Sequence, residues 1–416
     1  MNGANSATSA GAADVRSPLP RPLDGVRVIE HAQNGAAPFA GRILSDLGAD
    51  VIKVEPPGGD RARRQGVAAP AFSGLFQHAN AGKRSISIDC DTAGGRTVMA
   101  ALLERADCVL LDETSAVLAV DELIGRVPGR AVVVTITPFG LDCRQPRPAT
   151  GARALFHAGG EGFLTPNGAP LTTPPVAPSA NVAWLDAGVA GAFAAMLVLF
   201  RRGHGDEGEF EAPYFFDLAM RDVQLSLSRQ DICTFANEGH LEDRSTKHSA
   251  SLGPRLRCRD GDATIHLAER HWSGWCTLMD RDDLVADPRF VTHEARMANL
   301  DAVVTELERW TMPRTRAEVQ GLGQPRGLPV VAILTPSEVL ADDQLAYRGF
   351  FRSPVGSGGP LLTAALPFVR QDGQRWHPSN LAPPVGQHTG EVLAELGQHL
   401  AGITPATTAG VVGSGL

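Results

Sequence analysis

The sequence predicts an α/β protein built on a doubly wound sheet, and three observations predict it. Residues 26–55 read as apolar run, loop, helical stretch and apolar run: VRVIEH, AQNGAAP, FAGRILSDLG and ADVIKVE. Further apolar runs follow at SISID (85–89), DCVLLD (107–112) and AVVVTI (131–136). A helical stretch between Gly95 and Arg105 separates the first two of these, giving the alternation of parallel βαβ units. In such units a strand's carboxyl end and the next helix N-terminus meet at a crevice, where backbone N–H groups can hold a phosphate or carboxylate.

The remaining segments follow from composition. A chain of 416 residues, 43% hydrophobic and 20% charged, has material for one large core and a second smaller one. The balance of 46 acids against 38 bases is the opposite of a nucleic-acid-binding footprint, so no nucleic-acid partner is expected. Cys90, Cys108, Cys143, Cys233, Cys258 and Cys276 have no Cys-x-x-Cys or paired Cys/His spacing. That argues against a metal module or disulfide framework and fits a reducing cytoplasm. Residues 1–22 are small, polar and Pro-punctuated, which reads as a disordered leader without a secretory apolar region. The apolar stretch Ala187–Phe200, closed by Arg201 and Arg202, is too short to span a bilayer. It reads as a buried helix from about Asp186 to Arg202, with no membrane contact.

Between these elements, Arg144–Pro178 reads as loop with a compact turn at His157-Ala-Gly-Gly-Glu161-Gly162. Residues 205–222 read as a lengthened turn before a strand VQLSLS (223–228). A smaller α+β domain is expected over 233–328, with GDATIHLAE (261–269) as a hairpin strand. PVVAIL (329–334) and a helix over 337–349 return to α/β character, so 329–416 is expected to complete the large domain begun by 23–232.

Several chemistries are excluded by what the motifs lack. Glu55 ends the second strand 20 residues after Gly35, where a ribose-binding acid would stand, but QNGAAPFAG lacks G-x-G-x-x-G. No nicotinamide cofactor is expected, since pyrophosphate needs those glycines to approach the backbone. A Walker A loop and a G-x-S-x-G elbow are also missing. Asn80, Lys83 and Arg84 put an amide and two cations on a short loop suited to phosphate groups, although a solvated pair has the same pattern. Arg42 and Lys53 could anchor a ligand or equally pair with nearby acids.

Taken in order, the segments resemble the type III coenzyme A transferase family, which includes formyl-CoA and carnitine-CoA transferases and 2-methylacyl-CoA racemases. The resemblance rests on PLDGVRVIE, Pro38-Phe39 and LSDLGADVIKVEPPGGDRAR (44–63), then NAGKRSISID (80–89), LLERADCVLLD (102–112) and TPFG (137–140). ADPRF (286–290), ERWTMPRTRAEV (308–319), GLPVVAILTPSEVLADDQLAYRGFF (327–351) and APPVGQHTGEVLAELG (382–397) continue it. The resemblance implies a Rossmann-like large domain made from both chain ends, a smaller domain from the middle, and an interlocked homodimer. It implies a small carboxylic acid and coenzyme A or an acyl-CoA as substrates, and places Arg42, Asn80, Lys83 and Arg84 at the CoA.

At one position the chain departs from its relatives. Family transferases carry an Asp in a pattern like V-A-D-L-x-A-G, and here the segment reads Val182-Ala183-Trp184-Leu185-Asp186-Ala187-Gly188. Trp184 holds the usual Asp position. The chemistry implied by the family is attack of a carboxylate on an acyl-CoA thioester, giving a mixed anhydride and then an enzyme-bound thioester. Asp186 is the nearest carboxylate. At the N-cap expected for it, the helix dipole would keep it ionised, and a purely capping role would look the same. A two-residue shift keeps the face on a strand but turns the side chain by about 200° on a helix.

Glu161 and His157 are the other catalytic candidates, as a substitute carboxylate and as a general base or polarising donor. A lone His in such a segment is more often a hydrogen-bonded core residue. Family racemases pair the Asp with a His, whose place here falls on Arg153, so racemisation lacks both partners. The function expected is CoA transfer between carboxylic acids. Its alternatives are non-transferase chemistry with His157 and Glu161 as acid and base, as an acyl-CoA racemase, an isomerase or another small-acid reaction, or a catalytically inactive CoA-fold protein.

Overall fold

The computed structural model describes residues 20–33, 35–65, 68–69, 72–113, 120–143, 151–160, 172–176, 181–203, 212–227, 229–239, 253–352, 363–364 and 376–397. Six strands form one sheet among these: β1 (Arg27–His31), β2 (Asp50–Glu55), β3 (Arg84–Ser87), β4 (Cys108–Leu111), β5 (Val132–Thr137) and β6 (Tyr214–Ala219). Every neighbouring pair is parallel and the spatial order is β3-β2-β1-β4-β5-β6. The chain winds outward through β1, β2 and β3, then returns to β4 beside β1. That reversal leaves a crevice at the carboxyl ends of β1 and β4, where open α/β sheets bind ligands.

Both faces of the sheet are apolar because successive strand residues point to opposite sides. Val28, Val51, Cys108, Leu110, Val132 and Val134 join one core cluster, and their neighbours Ile29, Ile52, Val109, Leu111 and Val133 join the other. The first cluster is covered by α1 (Ala36–Asp46) and by the long helix Val182–Gly203; the second includes Val98 and Leu102 from the Ala93–Leu103 helix. Val392 and Leu396 of the Thr389–Leu396 helix also enter this second cluster, so a C-terminal segment packs on the sheet that the N-terminal segment begins.

In chain order the helices that matter below are α1, α2 (Gly74–Asn80), α3 (Ala93–Leu103), α4 (Val120–Ile124), α5 (Ala152–Ala158), α6 (Val182–Gly203) and α7 (Met220–Leu227). Helix α6 has 22 residues, more than the apolar stretch suggested, and by length and composition alone it is long enough to cross a membrane. Its inner face is instead packed tightly on the sheet layer. Gly188 lies against the Ala36 carbonyl and Phe39, and Gly191 against Ile136, each too close for a Cβ. The opposite face is not buried: Val189, Phe193, Leu197 and Phe200 are exposed.

Three expectations are corrected here. Of the segment 223–228, residues 223–227 are not a strand but lie in α7, because Tyr214–Ala219 takes the edge of the sheet beside β5; Ser228 lies outside the described residues. Within the expected turn 205–222, residues 212–222 are therefore mainly strand and helix; Tyr214 and Phe216 pack on one core and Phe215 on the other. Residues 337–349 are two helices, Pro336–Leu340 and Asp343–Tyr347, because the Asp342 carboxylate accepts the Leu345 N–H and starts a new N-terminus. The small sheet is antiparallel and joins Arg255–Cys258, Gly261–Ile265 and Val330–Ala332. Strand 330–332 thus pairs beyond the boundary expected at 328. Trp272, Trp275, Phe290 and Leu307 fill the core beneath this sheet.

Candidate active site

The four residues expected at CoA all have partners within the chain, and Arg42, Asn80 and Lys83 are buried while Arg84 is half-buried. Lys83 Nζ donates to Glu30 Oε2 at 2.6 Å, to the Pro38 carbonyl at 2.7 Å and to Asn80 Oδ1 at 2.9 Å. Asn80 is itself buried and donates to the Phe76 carbonyl. Arg42 is paired with Asp46 at 2.9 Å and donates to the carbonyls of His78 and Ala364. Arg84 grips Asp50 with two bonds of 2.8 and 2.6 Å and also meets Glu391 and Glu395. All three cations are paired with carboxylates of the same chain.

Glu30 is the centre of a buried charge network that the sequence did not single out. Its second oxygen accepts from Lys53 Nζ at 2.9 Å, and Lys53 also meets Asp60 at 2.8 Å. Burial pulls the Lys83 ammonium down, to about 8, against the pull of Glu30. Burial works in the same direction on Lys53, but Asp60, Glu30 and Glu55 together raise it instead. Asp46 is pushed up to about 6 by burial, with Arg42 opposing. Glu55, whose ribose-like position attracted notice, accepts from Arg63 at 2.6 and 2.7 Å, from Ser85 at 2.6 Å and from the Asp60 N–H.

At the crevice between β1 and β4, the Gln33 N–H donates to Asp112 Oδ2 at 2.6 Å. His31 is buried there, and burial lowers its pKa while Asp112 opposes and Lys53 adds to the lowering. The start of α1 lies immediately after, and Trp184 covers it. A Cβ at Gly35 would stand 2.4 Å from Trp184 Cε3, so the indole rests directly on the glycine backbone.

Asp186 is on another side of the same helix. The helix begins at Val182, with the Trp184 and Leu185 N–H groups bonded to the Asn181 carbonyl. Asp186 therefore stands in the second turn and not at the N-cap expected for it. Because both residues are helical, the offset from 184 to 186 rotates the side chain by about 200°. The half-buried Asp186 carboxylate accepts from Gln224 Nε2 on α7 at 2.9 Å, through Oδ2.

Gln224 also joins Asp186 to the turn after α5. A Cβ at Gly159 would come within 2.3 Å of Gln224 Cβ, so the end of α5 stops against that side chain. His157, two residues earlier, is half-buried, and its Nδ1 is enclosed without a hydrogen-bond partner among the described residues. The Gly159 and Gly160 N–H groups donate to the Leu155 and His157 carbonyls and so are spent on closing the helix. Glu161 lies outside the described residues. Gln224 carried no signal in the sequence, where it sits in a polar–apolar alternation typical of an exposed strand.

Comparison with known proteins places this arrangement. The profile of CoA-transferase family III matches residues 23–389. The chain is 29% identical to the probable fatty acyl-CoA transferase Rv3272 of Mycobacterium tuberculosis, over 90% of this chain and 98% of that protein. It is 28% identical to the succinyl-CoA–D-citramalate CoA-transferase of Chloroflexus aurantiacus, over 91% of this chain and 94% of that protein. The crystal structure of a CaiB/BaiF family protein from Brucella suis superimposes with a TM-score of 0.80 at 27% identity, covering 91% of this chain and all of that one. A profile that spans most of the sequence, together with a shared fold across its length, shows that the chain belongs to CoA-transferase family III.

Proposed function

We propose that this enzyme moves CoA between two carboxylic acids with Asp186 as the side chain that carries the acyl group. The observation that supports it is the Gln224 bond: one Asp186 oxygen is fixed at 2.9 Å on a carboxylate that is only half buried. In the first step an Asp186 oxygen attacks the thioester carbon, the C–S bond breaks, and CoA leaves as thiolate. The thiolate then attacks the Asp186 carbonyl carbon of the mixed anhydride and expels the donor acid. An acceptor carboxylate attacks the resulting aspartyl thioester, releasing CoA thiolate, which takes the new acyl group and returns Asp186 as carboxylate. No proton is consumed, and Asp186 must be ionised for the first attack.

The test is chemical trapping. The protein is incubated with succinyl-CoA or a fatty acyl-CoA, the donors named for its relatives, then quenched with hydroxylamine and mapped by peptide mass spectrometry. A hydroxamate on Asp186, lost in Asp186→Asn together with exchange of labelled free acid into the thioester, is the expected result. Turnover without an adduct, or an adduct elsewhere, refutes it. The enclosed Nδ1 of His157, without a partner among the described residues, favours the second reading, in which His157 and Glu161 act as acid and base, and turnover without an adduct is what that reading expects.

The exposed stripe Val189, Phe193, Leu197 and Phe200 runs along one side of α6 at helical spacing. It supports a homodimer in which a second copy covers this face. Sedimentation of a monomer at micromolar concentration overturns that assignment.

A further inference from the structure

We infer that Gln224 is a working part of the transfer site: it aims Asp186 and stabilises the negative charge that develops on Oδ2 when the Asp186 carbonyl is attacked. The inference rests on Asp186 carrying the acyl group. Its basis is geometric. Gln224 is 1% exposed, on the inward side of α7 with Met220, one turn earlier. A buried primary amide that bonds a half-buried carboxylate is fixed in direction by its own packing. That packing comes from Gly159, whose missing side chain lets the end of α5 close against Gln224 Cβ.

Asp186 plays two chemical parts in the proposed cycle, and one donor serves both. As a carboxylate it must present a free oxygen, and the bond from Nε2 to Oδ2 leaves Oδ1 as the attacking atom. In the anhydride and the thioester, Oδ2 is the carbonyl oxygen. When thiolate or acceptor acid adds to the carbon, the electron pair moves onto Oδ2, where the amide N–H already points. It returns as the leaving group departs. A donor placed before the charge develops costs no reorganisation at that moment, and removing one such donor lowers kcat by roughly 100- to 1,000-fold. The Gly159 and Gly160 N–H groups, the obvious donors in a glycine-rich turn, are already bonded within α5 and cannot do this.

The test compares full-length Gln224→Leu, Gln224→Glu and Asp186→Asn in exchange of labelled succinate with succinyl-CoA, and of a labelled fatty acid with its thioester, across pH. Gln224→Leu is expected to lower kcat about 100-fold with KM little changed. Gln224→Glu fills the same volume if the leucine variant does not fold, and its activity should rise as pH falls and the new carboxyl gains a proton to donate. A kcat within threefold of wild type in a folded Gln224→Leu variant overturns the role of Gln224. If Asp186→Asn is fully active, the nucleophile assignment falls first and this inference falls with it. If Asp186→Asn is inactive while both Gln224 variants are normal, only the inference falls.

Discussion

Lys83→Met separates two meanings of the same lysine. The loop that carries it looks built for phosphate, yet its ammonium is fully enclosed and spends three donors on Glu30 Oε2, the Pro38 carbonyl and Asn80 Oδ1, at 2.6, 2.7 and 2.9 Å. Around it, Lys53 and Lys83 balance Glu30 and Asp60, so the buried group of four is formally neutral. Methionine keeps most of the volume but removes one positive charge. Glu30 is left with a single cation and cannot turn to solvent, since even a Cβ on Gly41 would lie 2.2 Å from its Oε2. Breaking a buried pair by removing one partner costs about 3–5 kcal/mol. Urea unfolding followed by circular dichroism should therefore show a midpoint lowered by about 1 M or more, on a slope near 3 kcal/mol per M. Adding Glu30→Gln should restore part of the loss, because the orphaned charge is then gone. An unchanged midpoint with a raised KM for acyl-CoA would refute this reasoning and return Lys83 to the phosphate role.

Two further outcomes follow from the geometry. Gly35→Ala should destabilise by about 1–3 kcal/mol through contact with the Trp184 ring, since the Gly35 backbone itself, at φ −75°, accepts alanine. In a Trp184→Ala background that penalty should vanish, and a double-mutant cycle in urea showing no coupling would sink the contact. Asp46 binds its proton more tightly folded than unfolded, with a pKa raised from 3.8 to about 6. Its contribution is therefore present below pH 3.8 and lost as pH rises through 6. The stability of wild type relative to Asp46→Asn should fall by about 2–3 kcal/mol across that window, and parallel pH profiles for the two proteins would contradict it.

The sheet was legible because its strands state both faces at once. Runs such as Val28-Ile29 and Val132-Val133-Val134 send alternate residues into opposite cores, which leaves an uninterrupted apolar string in the sequence. The segment 223–228 misled for the complementary reason. Its alternation of Val, Gln, Leu and Ser fits a half-exposed strand, but what buries it is the spacing from Met220 to Gln224, and the strand position had already been taken by Tyr214–Ala219. The charged loop at 80–84 shows its cations and hides their partners. Glu30 is 53 residues from Lys83, and Glu391 and Glu395 are more than 300 from Arg84, so nothing local distinguishes an ion pair from a free phosphate site.

The same difficulty of reading local sequence governs the catalytic position, where the helix settles a question that spacing left open. Had Val182–Gly188 approached as a strand, Trp184 and Asp186 would share a face and the carboxylate would sit beside the family's usual position. As a helix it sends Trp184 onto Gly35 at the start of α1 and Asp186 toward Gln224 on α7. On the proposal that Asp186 carries the acyl group, that group lies on the α7 side of the helix and not on the α1 side where the indole rests. Substituting Trp184 by Asp would place a carboxylate on the α1 side without moving Asp186, because about 200° of helix separates them. If Asp186 carries the acyl group, as proposed, the thioester must reach its free Oδ1 from a side other than the one where the indole rests on Gly35, and blocking of the α1 side by the ring then leaves transfer intact.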